Sequence, residues 1–215
     1  MIRTFDVEIE RCVDVDSLRW PEPGEAVDDY GLGGNREYVD LRGLTWREVS
    51  ETMAAEEELL SRYESSEGFS EDTAEDDEDA EEDFSLLRII DVGLAGTVAA
   101  LSAARCIPCT SCNAGAFGGR HHEDYPVVVF YARPQHLLLL LSAAEASGVG
   151  IVNSLGGGIA IYSDDVRLMP AFAKELFARR KDFRQLRFRA KERASPIYQA
   201  AHGNMALPFD DSAGA

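Results

Sequence analysis

The feature that most limits how this chain can fold is an acidic run between residues 64 and 83. It contains twelve carboxylates and no lysine or arginine, and it supplies −12 of the formal net charge of −18. Such a segment carries too little apolar side chain for burial to offset the entropy lost on ordering. We therefore predict an acidic disordered insertion at residues 64–84. It separates an N-terminal strand–helix segment (1–63) from a core domain (85–194), which a flexible tail (195–215) follows.

The remaining composition is that of a chain with one real core. Its 215 residues are 45% hydrophobic, which is enough for one core and a smaller appendage. The longest strongly apolar run, Leu137 to Ala144, is shorter than the roughly 20 residues that a bilayer requires, so no membrane association is expected. The N-terminus lacks the apolar region of a secretory signal, and three of the four cysteines are clustered. These features favour a reduced, cytoplasmic setting.

The N-terminal segment predicts a strand and a helix. Phe5, Val7 and Ile9 alternate with acidic residues, which is the period of a half-buried strand. Thr45 and Glu48 have the spacing of a capping box, in which each side chain bonds the backbone amide of the other residue. The helix that follows has an apolar stripe typical of core packing, while its glutamates are expected to face water. The stripe comprises Trp46, Val49, Met53, Leu60 and Tyr63, and the water-facing residues are Glu51 and Glu56 to Glu58.

From residue 86 onward the pattern predicts the order β-α-β-β-α-β-β-α. The first elements are a strand at Leu86–Ile90, a helix capped by Asp91 that runs through Ala104, and strands at Cys106–Thr110 and Pro126–Ala132. A buried helix follows from Leu137 to Ala146, and Gly148 ends it. The last elements are a hairpin of Val149–Val152 with Ile159–Tyr162 and a helix opened by Pro170. The first six elements follow the split βαβ order. We therefore predict an α/β (α+β) two-layer sandwich with a ferredoxin-like βαββαβ core, an extra strand and a long C-terminal helix.

The segment Ser111–His122, which we call the candidate loop, is the best candidate for a functional site. It follows a predicted strand, where ligands of α/β folds commonly bind. Its glycines allow the backbone to approach a ligand closely, and Arg120 offers paired donors to a carboxylate or phosphate. We predict that it binds a small anionic or nucleotide-like ligand. The predicted contact residues are Ser111, Cys112, Asn113, Gly115, Gly118, Gly119, Arg120, His121 and His122. The alternative is a structural surface loop.

Two further chemistries use the same stretch. Cys109, Cys112 and His121 or His122 could supply tetrahedral zinc ligands. Against this, Cys106 and Cys109 fall on opposite faces of a strand, and no second Cys-x2-Cys pair completes the set. We therefore favour no metal and expect Cys106 and Cys109 to be buried thiols. Covalent catalysis by Cys112 with His121 or His122 as base is the other alternative, for which the sequence indicates no third orienting residue.

Residues 91–131 also resemble a known family. A helix, an apolar strand running into Ser111-Cys112-Asn113-Ala114-Gly115, and a strand beginning at a proline are similar to the Ser-Cys-Ser-Gly region of the tRNA wybutosine-synthesizing protein 3 family. The glycine lies one position later here than in that pattern. That family methylates a modified guanosine in tRNA, so the resemblance implies S-adenosylmethionine binding and an RNA-directed methyltransferase-like activity.

The last predicted helix and its extension are basic and suggest how the acidic insertion is used. They carry nine basic residues against three acidic ones, namely Lys174, Arg179, Arg180, Lys181, Arg184, Arg187, Arg189, Lys191 and Arg193 against Glu175, Asp182 and Glu192. Interleaved Phe183 and Phe188 make this composition suitable for RNA. We favour pairing with the acidic insertion, within the chain or in self-association, because tethered carboxylates compete at high effective concentration. The alternative function is a noncatalytic regulatory or interaction module whose acidic insertion engages a basic protein.

Overall fold

A computed structural model describes residues 2–22, 25, 32, 41–65, 86–118 and 123–187 of the chain. Its strands are β1 (Arg11–Cys12), β2 (Ile107–Cys112), β3 (Val127–Tyr131), β4 (Gly150–Asn153) and β5 (Ile159–Tyr162). Its helices are α1 (Trp46–Ser65), α2 (Ala95–Ala103), α3 (Leu137–Ser147), α4 (Leu168–Ala178) and α5 (Arg180–Gln185). Nearly all of the predicted acidic insertion and all of the predicted tail lie outside the described residues.

The described strands form one mixed sheet in the order β1-β4-β5-β3-β2. The pairs β2–β3, β3–β5 and β5–β4 are antiparallel, and β1 pairs with β4 in parallel. The register of β2 against β3 shifts between Pro108 and Thr110, which leaves Cys109 as the extra residue of a bulge. The α/β class is therefore confirmed.

Helices cover one face of this sheet and form the main core with it. Val128 and Phe130 of β3 and Ile161 of β5 point into the cluster that Leu101 of α2 and Leu140 of α3 also join. These five side chains are fully buried. On the opposite face a smaller buried cluster unites Leu32, Ile107, Cys109 and Tyr131, with Trp20 packed against it.

Helix α1 begins as predicted and belongs to the same core. The Thr45 amide donates to a Glu48 carboxylate oxygen at 2.6 Å, and the Glu48 amide donates to Thr45 Oγ1 at 3.3 Å, so the capping box is confirmed. Trp46 is buried and its ring contacts Phe177 and Phe183 at centroid distances of 6.1 and 6.2 Å. The helix thus packs on α2 and α4.

Several other local predictions are confirmed. Strand β3 lies within Pro126–Ala132, and β4 and β5 form the predicted antiparallel hairpin. Gly148 ends α3 in the left-handed conformation, with φ of 87°, and its amide donates to the Ala144 carbonyl. Glycine adopts this conformation without the steric cost that a Cβ imposes.

The predicted strand at Leu86–Ile90 is wrong. Residues Leu86–Arg88 form a 3-10 turn, and Leu86 is buried in the helical side of the core. An apolar β-branched run fits a strand or a buried turn equally well on periodicity alone. Without this strand the predicted ferredoxin-like order loses its first element.

The two ends of the predicted architecture also differ from the structure. Phe5, Val7 and Ile9 do alternate in burial with their exposed neighbours, but the paired strand lies later, at Arg11–Cys12, and Thr4 makes only an isolated bridge to Asp165. The long C-terminal helix is divided into α4 and α5 because Arg179 leaves helical geometry, at φ −89° and ψ 10°. The break turns Phe183 into the core beside Trp46. Among the described residues, no helix has the length and apolar character to cross a membrane.

Candidate functional site

The candidate loop leaves the sheet at the end of β2, and the structure describes its first part. Ser111 and Cys112 are the last residues of β2, and the chain then turns through residues 113–118. Gly119, Arg120, His121 and His122 lie outside the described residues, so their predicted contacts with a ligand remain predictions. The structure therefore tests the base of the loop.

Two successive turns shape this base. Asn113 Oδ1 accepts from the Gly115 amide at 3.0 Å, and the Asn113 carbonyl accepts from the Ala116 amide at 3.1 Å. The Gly115 carbonyl then accepts from the Gly118 amide at 3.0 Å. Ala114 and Gly115 both have left-handed backbones, with φ of 57° and 69°. For alanine that conformation is strained, and such strain persists only where the surroundings hold it.

Asn113 is the side chain that holds the turn. It is fully buried, its backbone amide donates to Asp91 Oδ2 at 2.9 Å, and its Nδ2 donates to the Val92 carbonyl at 3.3 Å. We therefore assign Asn113 a structural role, which differs from the ligand contact predicted for it. Asp91 was predicted to cap α2. That prediction is wrong, because the helix begins at Ala95 and the Asp91 carboxylate binds the Asn113 amide.

The far end of the described turn is open. Phe117 is 9% exposed and stacks against Tyr63 of α1 at a centroid distance of 4.5 Å, and the Ala116 carbonyl accepts from the Arg3 amide. Gly118, by contrast, is exposed, with φ of 114° and no atom within 4 Å of the place where a Cβ would lie. The described part of the loop thus has a buried base and an exposed rim at Gly118.

The clustered cysteines are separated by the sheet. Cys106 belongs to the helical core, whereas Cys109 lies in the cluster on the opposite face and donates to the Val129 carbonyl at 3.3 Å. Burial raises the pKa of the Cys109 thiol to about 12 and that of Cys106 further still. These two thiols therefore stay protonated and unreactive near neutral pH.

Cys112 differs from them because it is partly exposed, and its Sγ accepts from the Ala114 amide at 3.4 Å. Within the described ranges, no group of three or more His, Cys, Asp or Glu side chains could hold a metal ion. His121 and His122, which the zinc and nucleophile hypotheses both require, fall in the gap at residues 119–122. Those two hypotheses stay untested.

Glu56 is an ionisable residue whose burial the sequence pattern did not predict. It was predicted to face water, but it is 1% exposed, so that prediction is wrong. Its Oε1 accepts from the Ala95 amide at 2.8 Å and its Oε2 from the Gly96 amide at 3.1 Å, at the amino end of α2. A carboxylate there satisfies amides that have no partner within the helix. The distant helix α1 thus caps α2.

Two opposed effects act on the Glu56 carboxyl. Burial raises its pKa, while hydrogen bonds from the amides of Gly96, Ala95 and Gly93 lower it; burial prevails and brings the pKa to about 7. Gly96 leaves room for this carboxylate, because a Cβ there would lie 2.7 Å from Glu56 Oε2 and 3.1 Å from Met53 Cγ and would displace them.

A signal for Glu56 exists in the sequence. The apolar stripe of α1 steps by three or four residues except for one gap of seven between Met53 and Leu60, and Glu56 fills that gap. A position on the buried stripe predicts burial whatever its residue type. A polar residue at such a position requires a hydrogen-bonding partner, which only the fold reveals.

Two exposed ion pairs lie near the predicted acidic insertion and the basic stretch. Lys174 of α4 lies 3.1 Å from Glu57 of α1, and Arg167 lies 3.9 Å from Glu64, the first residue of the predicted insertion. All four side chains are at least half exposed, so each pair contributes little. Pairing by the rest of the insertion, and RNA binding, remain predictions.

Comparisons of the chain with family models, with curated proteins and with solved structures find no match.

Proposed function

We propose that the candidate loop binds a small anionic or nucleotide-like ligand at its exposed rim, with Arg120 as the residue that grips the anion. The observation that carries this proposal is the contrast within the loop: its base is anchored by the fully buried Asn113, while Gly118 at its rim is exposed with open space beside it. A preformed turn with an accessible glycine presents backbone to a ligand at little entropic cost.

The strained backbone supports a functional role for the turn. Ala114 keeps a left-handed conformation although the next residue is a glycine. Strained residues of this kind concentrate at ligand-binding and active sites, where the surrounding structure maintains them. Here the surrounding bonds are those of Asn113 with Asp91 and Val92.

The residue types that follow the rim favour an anion. Arginine presents a planar fork of donors that matches carboxylate and phosphate oxygens, and two histidines follow Arg120 in sequence. Arg3 adds a further cation on the N-terminal segment, whose backbone binds Ala116. The resemblance stated above makes S-adenosylmethionine one of the ligands to be tested.

The proposal predicts that Arg120→Ala weakens binding of a ligand that presents a phosphate or a carboxylate to the loop. Inorganic phosphate, ATP and S-adenosylmethionine are titrated into the whole protein by isothermal calorimetry. We expect at least one of them to bind the unmodified protein and Arg120→Ala to weaken it about tenfold or more, because a charge-assisted hydrogen bond contributes about 1.5–3 kcal/mol. Arg120→Lys should retain part of the affinity, since lysine keeps the charge without the paired geometry.

Arg47→Ala is the matched control. Arg47 is an exposed arginine in the first turn of α1, outside the basic C-terminal stretch, and its removal changes the net charge equally. We expect it to leave the affinity unchanged. If none of the three probes binds, or if Arg120→Ala and Arg47→Ala have the same effect, the proposed function is wrong.

A further inference from the structure

Helix α1 is connected to the candidate loop by one direct contact and by one indirect link. The Tyr63 ring packs on Phe117 of the loop at 4.5 Å. Seven residues earlier, on the same stripe of the helix, Glu56 binds the amides of Ala95 and Gly96. A change in the packing of α1 therefore reaches the loop directly at one point and through the 91–96 segment at another.

The 91–96 segment connects Glu56 to the base of the loop without interruption. At one end its Ala95 and Gly96 amides bind the Glu56 carboxylate. At the other end Asp91 accepts from the Asn113 amide and the Val92 carbonyl accepts from Asn113 Nδ2. Gly93 lies between them, with φ of 87°, and a Cβ there would lie 2.6 Å from Val166 Cγ2, so this short segment has little room to shift independently.

We propose that Glu56 is a positioning residue for the base of the candidate loop, residues 113–118: its carboxylate fixes the 91–96 segment, which in turn fixes Asn113, so that the charge state of Glu56 sets the conformation of this base. The consequence for ligand affinity rests on the function proposed above. The effect on the loop itself does not.

Protonation changes what Glu56 can hold. An ionised carboxylate only accepts hydrogen bonds, whereas a protonated carboxyl has one hydroxyl that donates. Two backbone amides point at the two oxygens, so the hydroxyl of the protonated form meets a donor. One of these bonds must weaken. Because the pKa of Glu56 is about 7, this change falls in the neutral range.

Among the groups packed around it, Glu56 itself is the one that we expect to titrate at its contact with α2. Helix α2, on which it rests, contains no ionisable side chain. On α4 the residue nearest the contact is Ala173, and the neighbouring Lys174 pairs with Glu57. Glu175 of α4 pairs with Arg179. Asp91 is the acid of the 91–96 segment, and Glu123 and Asp124 follow the candidate loop in sequence.

Amide NMR of the whole protein across the neutral pH range tests the inference. We expect the Gly96 and Gly115 amide resonances to titrate with one common midpoint near 7. In Glu56→Gln, which keeps the shape and loses the charge, both titrations should vanish. Glu57→Gln is the matched control, since Glu57 is the adjacent, exposed glutamate and should leave both titrations unchanged.

Two results would overturn the inference. One is a Gly96 titration with no response at Gly115. The other is a Gly115 titration that persists in Glu56→Gln, which would assign it to the loop histidines. Asp91→Asn provides a second variant should Glu56→Gln fail to fold. It weakens one of the two bonds that hold Asn113 and leaves the other, to the Val92 carbonyl. Gly96 should therefore still titrate while the Gly115 titration becomes smaller, and an undiminished Gly115 titration in this variant contradicts the proposed path.

The ligand consequence is measured with sulfate, which keeps its charge throughout this range. We expect the affinity for sulfate to change about threefold or more across pH 7. Glu56→Gln should remove this part of the pH dependence, and Glu57→Gln should keep it. Sulfate that fails to bind the unmodified protein counts against the proposed function, while the NMR coupling alone decides the role of Glu56. Sulfate that binds with the same pH profile in Glu56→Gln overturns the regulatory consequence.

Discussion

Glu56 is both a packed core residue and an ionisable group. It occupies a core position of α1, at 1% exposure, and the amides of α2 compensate its polar head. The hydrogen bonds offset only part of the free energy that burial of the ionised carboxylate costs. The pKa of Glu56 therefore lies far above the ordinary carboxyl value.

The raised pKa predicts a definite sign for the pH dependence of stability. Between the ordinary value of 4.5 and the folded-state value of about 7, the folded protein binds more protons at Glu56 than the unfolded chain does. The contribution of Glu56 is therefore fully present below 4.5 and is lost as the pH rises through 7. The free energy of unfolding, relative to Glu56→Gln, should fall by up to about 3 kcal/mol over this interval.

Urea denaturation followed by tryptophan fluorescence at several pH values measures this difference. Comparing the two proteins cancels the titrations that they share. Glu57→Gln, changed at the exposed neighbouring position, should differ from the unmodified protein by an amount that does not depend on pH in this range. A Glu56→Gln difference that stays constant would contradict the assignment.

At the scale of elements, α1 is the helix that joins the N-terminal segment to the core. Its start is fixed by local chemistry, because Thr45 and Glu48 exchange hydrogen bonds with each other's amides. Its position is fixed by contacts at both ends, where Trp46 meets Phe177 and Phe183 and Tyr63 meets Phe117. The capping box therefore orients the first turn of α1, and the contacts of the helix depend on that orientation.

Thr45→Ala tests the contribution of the cap. Loss of the side-chain oxygen leaves the Glu48 amide without its acceptor, and we expect a decrease of about 1 kcal/mol in the free energy of unfolding. Thr45→Ser keeps the oxygen and should lie close to the unmodified protein. Chemical denaturation of the three proteins compares them, and an alanine variant as stable as the serine variant would show that the capping box contributes nothing.

At the scale of the whole molecule, the N-terminal segment belongs to the same sheet as the rest of the chain. Strand β1 pairs in parallel with β4, and the Phe5 amide donates to the Asp164 carbonyl. Tyr162 adds a side-chain link: its hydroxyl donates to the Glu8 carbonyl and accepts from the Glu10 amide, both at 2.9 Å. Gly150 makes room for the ring, since a Cβ there would lie 2.4 Å from it.

Tyr162→Phe should therefore loosen the attachment of the N-terminal segment. It removes the hydroxyl and with it two part-buried hydrogen bonds to the segment, each of which contributes about 0.5–1.5 kcal/mol. Hydrogen exchange should accelerate at residues 8–12, while β3 stays protected. Tyr125→Phe is the control, because the Tyr125 ring stacks on Tyr162 at 5.3 Å, and it should have little effect. Equal exchange in all three proteins would refute this role.

Part of the candidate site could be predicted from the sequence. The glycine-rich connection after a strand was recognised from residue types alone, and the structure places Ser111 and Cys112 at the end of β2 and Gly118 at an exposed turn. The role of Asn113 could not be predicted, because the same residue type suits a ligand contact and a buried anchor. Its partners, Asp91 and Val92, lie more than twenty residues away.

The sequence by itself determined those features that neighbouring residues control: the capping box at Thr45, the end of α3 at Gly148, strand β3 and the β4–β5 hairpin. Each depends on backbone preferences or periodicity within a few residues. Only the tertiary structure decided that Leu86–Ile90 is not a strand, that Glu56 is buried and that Asp91 binds Asn113. The physical reason is that a buried polar group is stable only beside its partner, and the partners of Glu56 lie 39 and 40 residues along the chain.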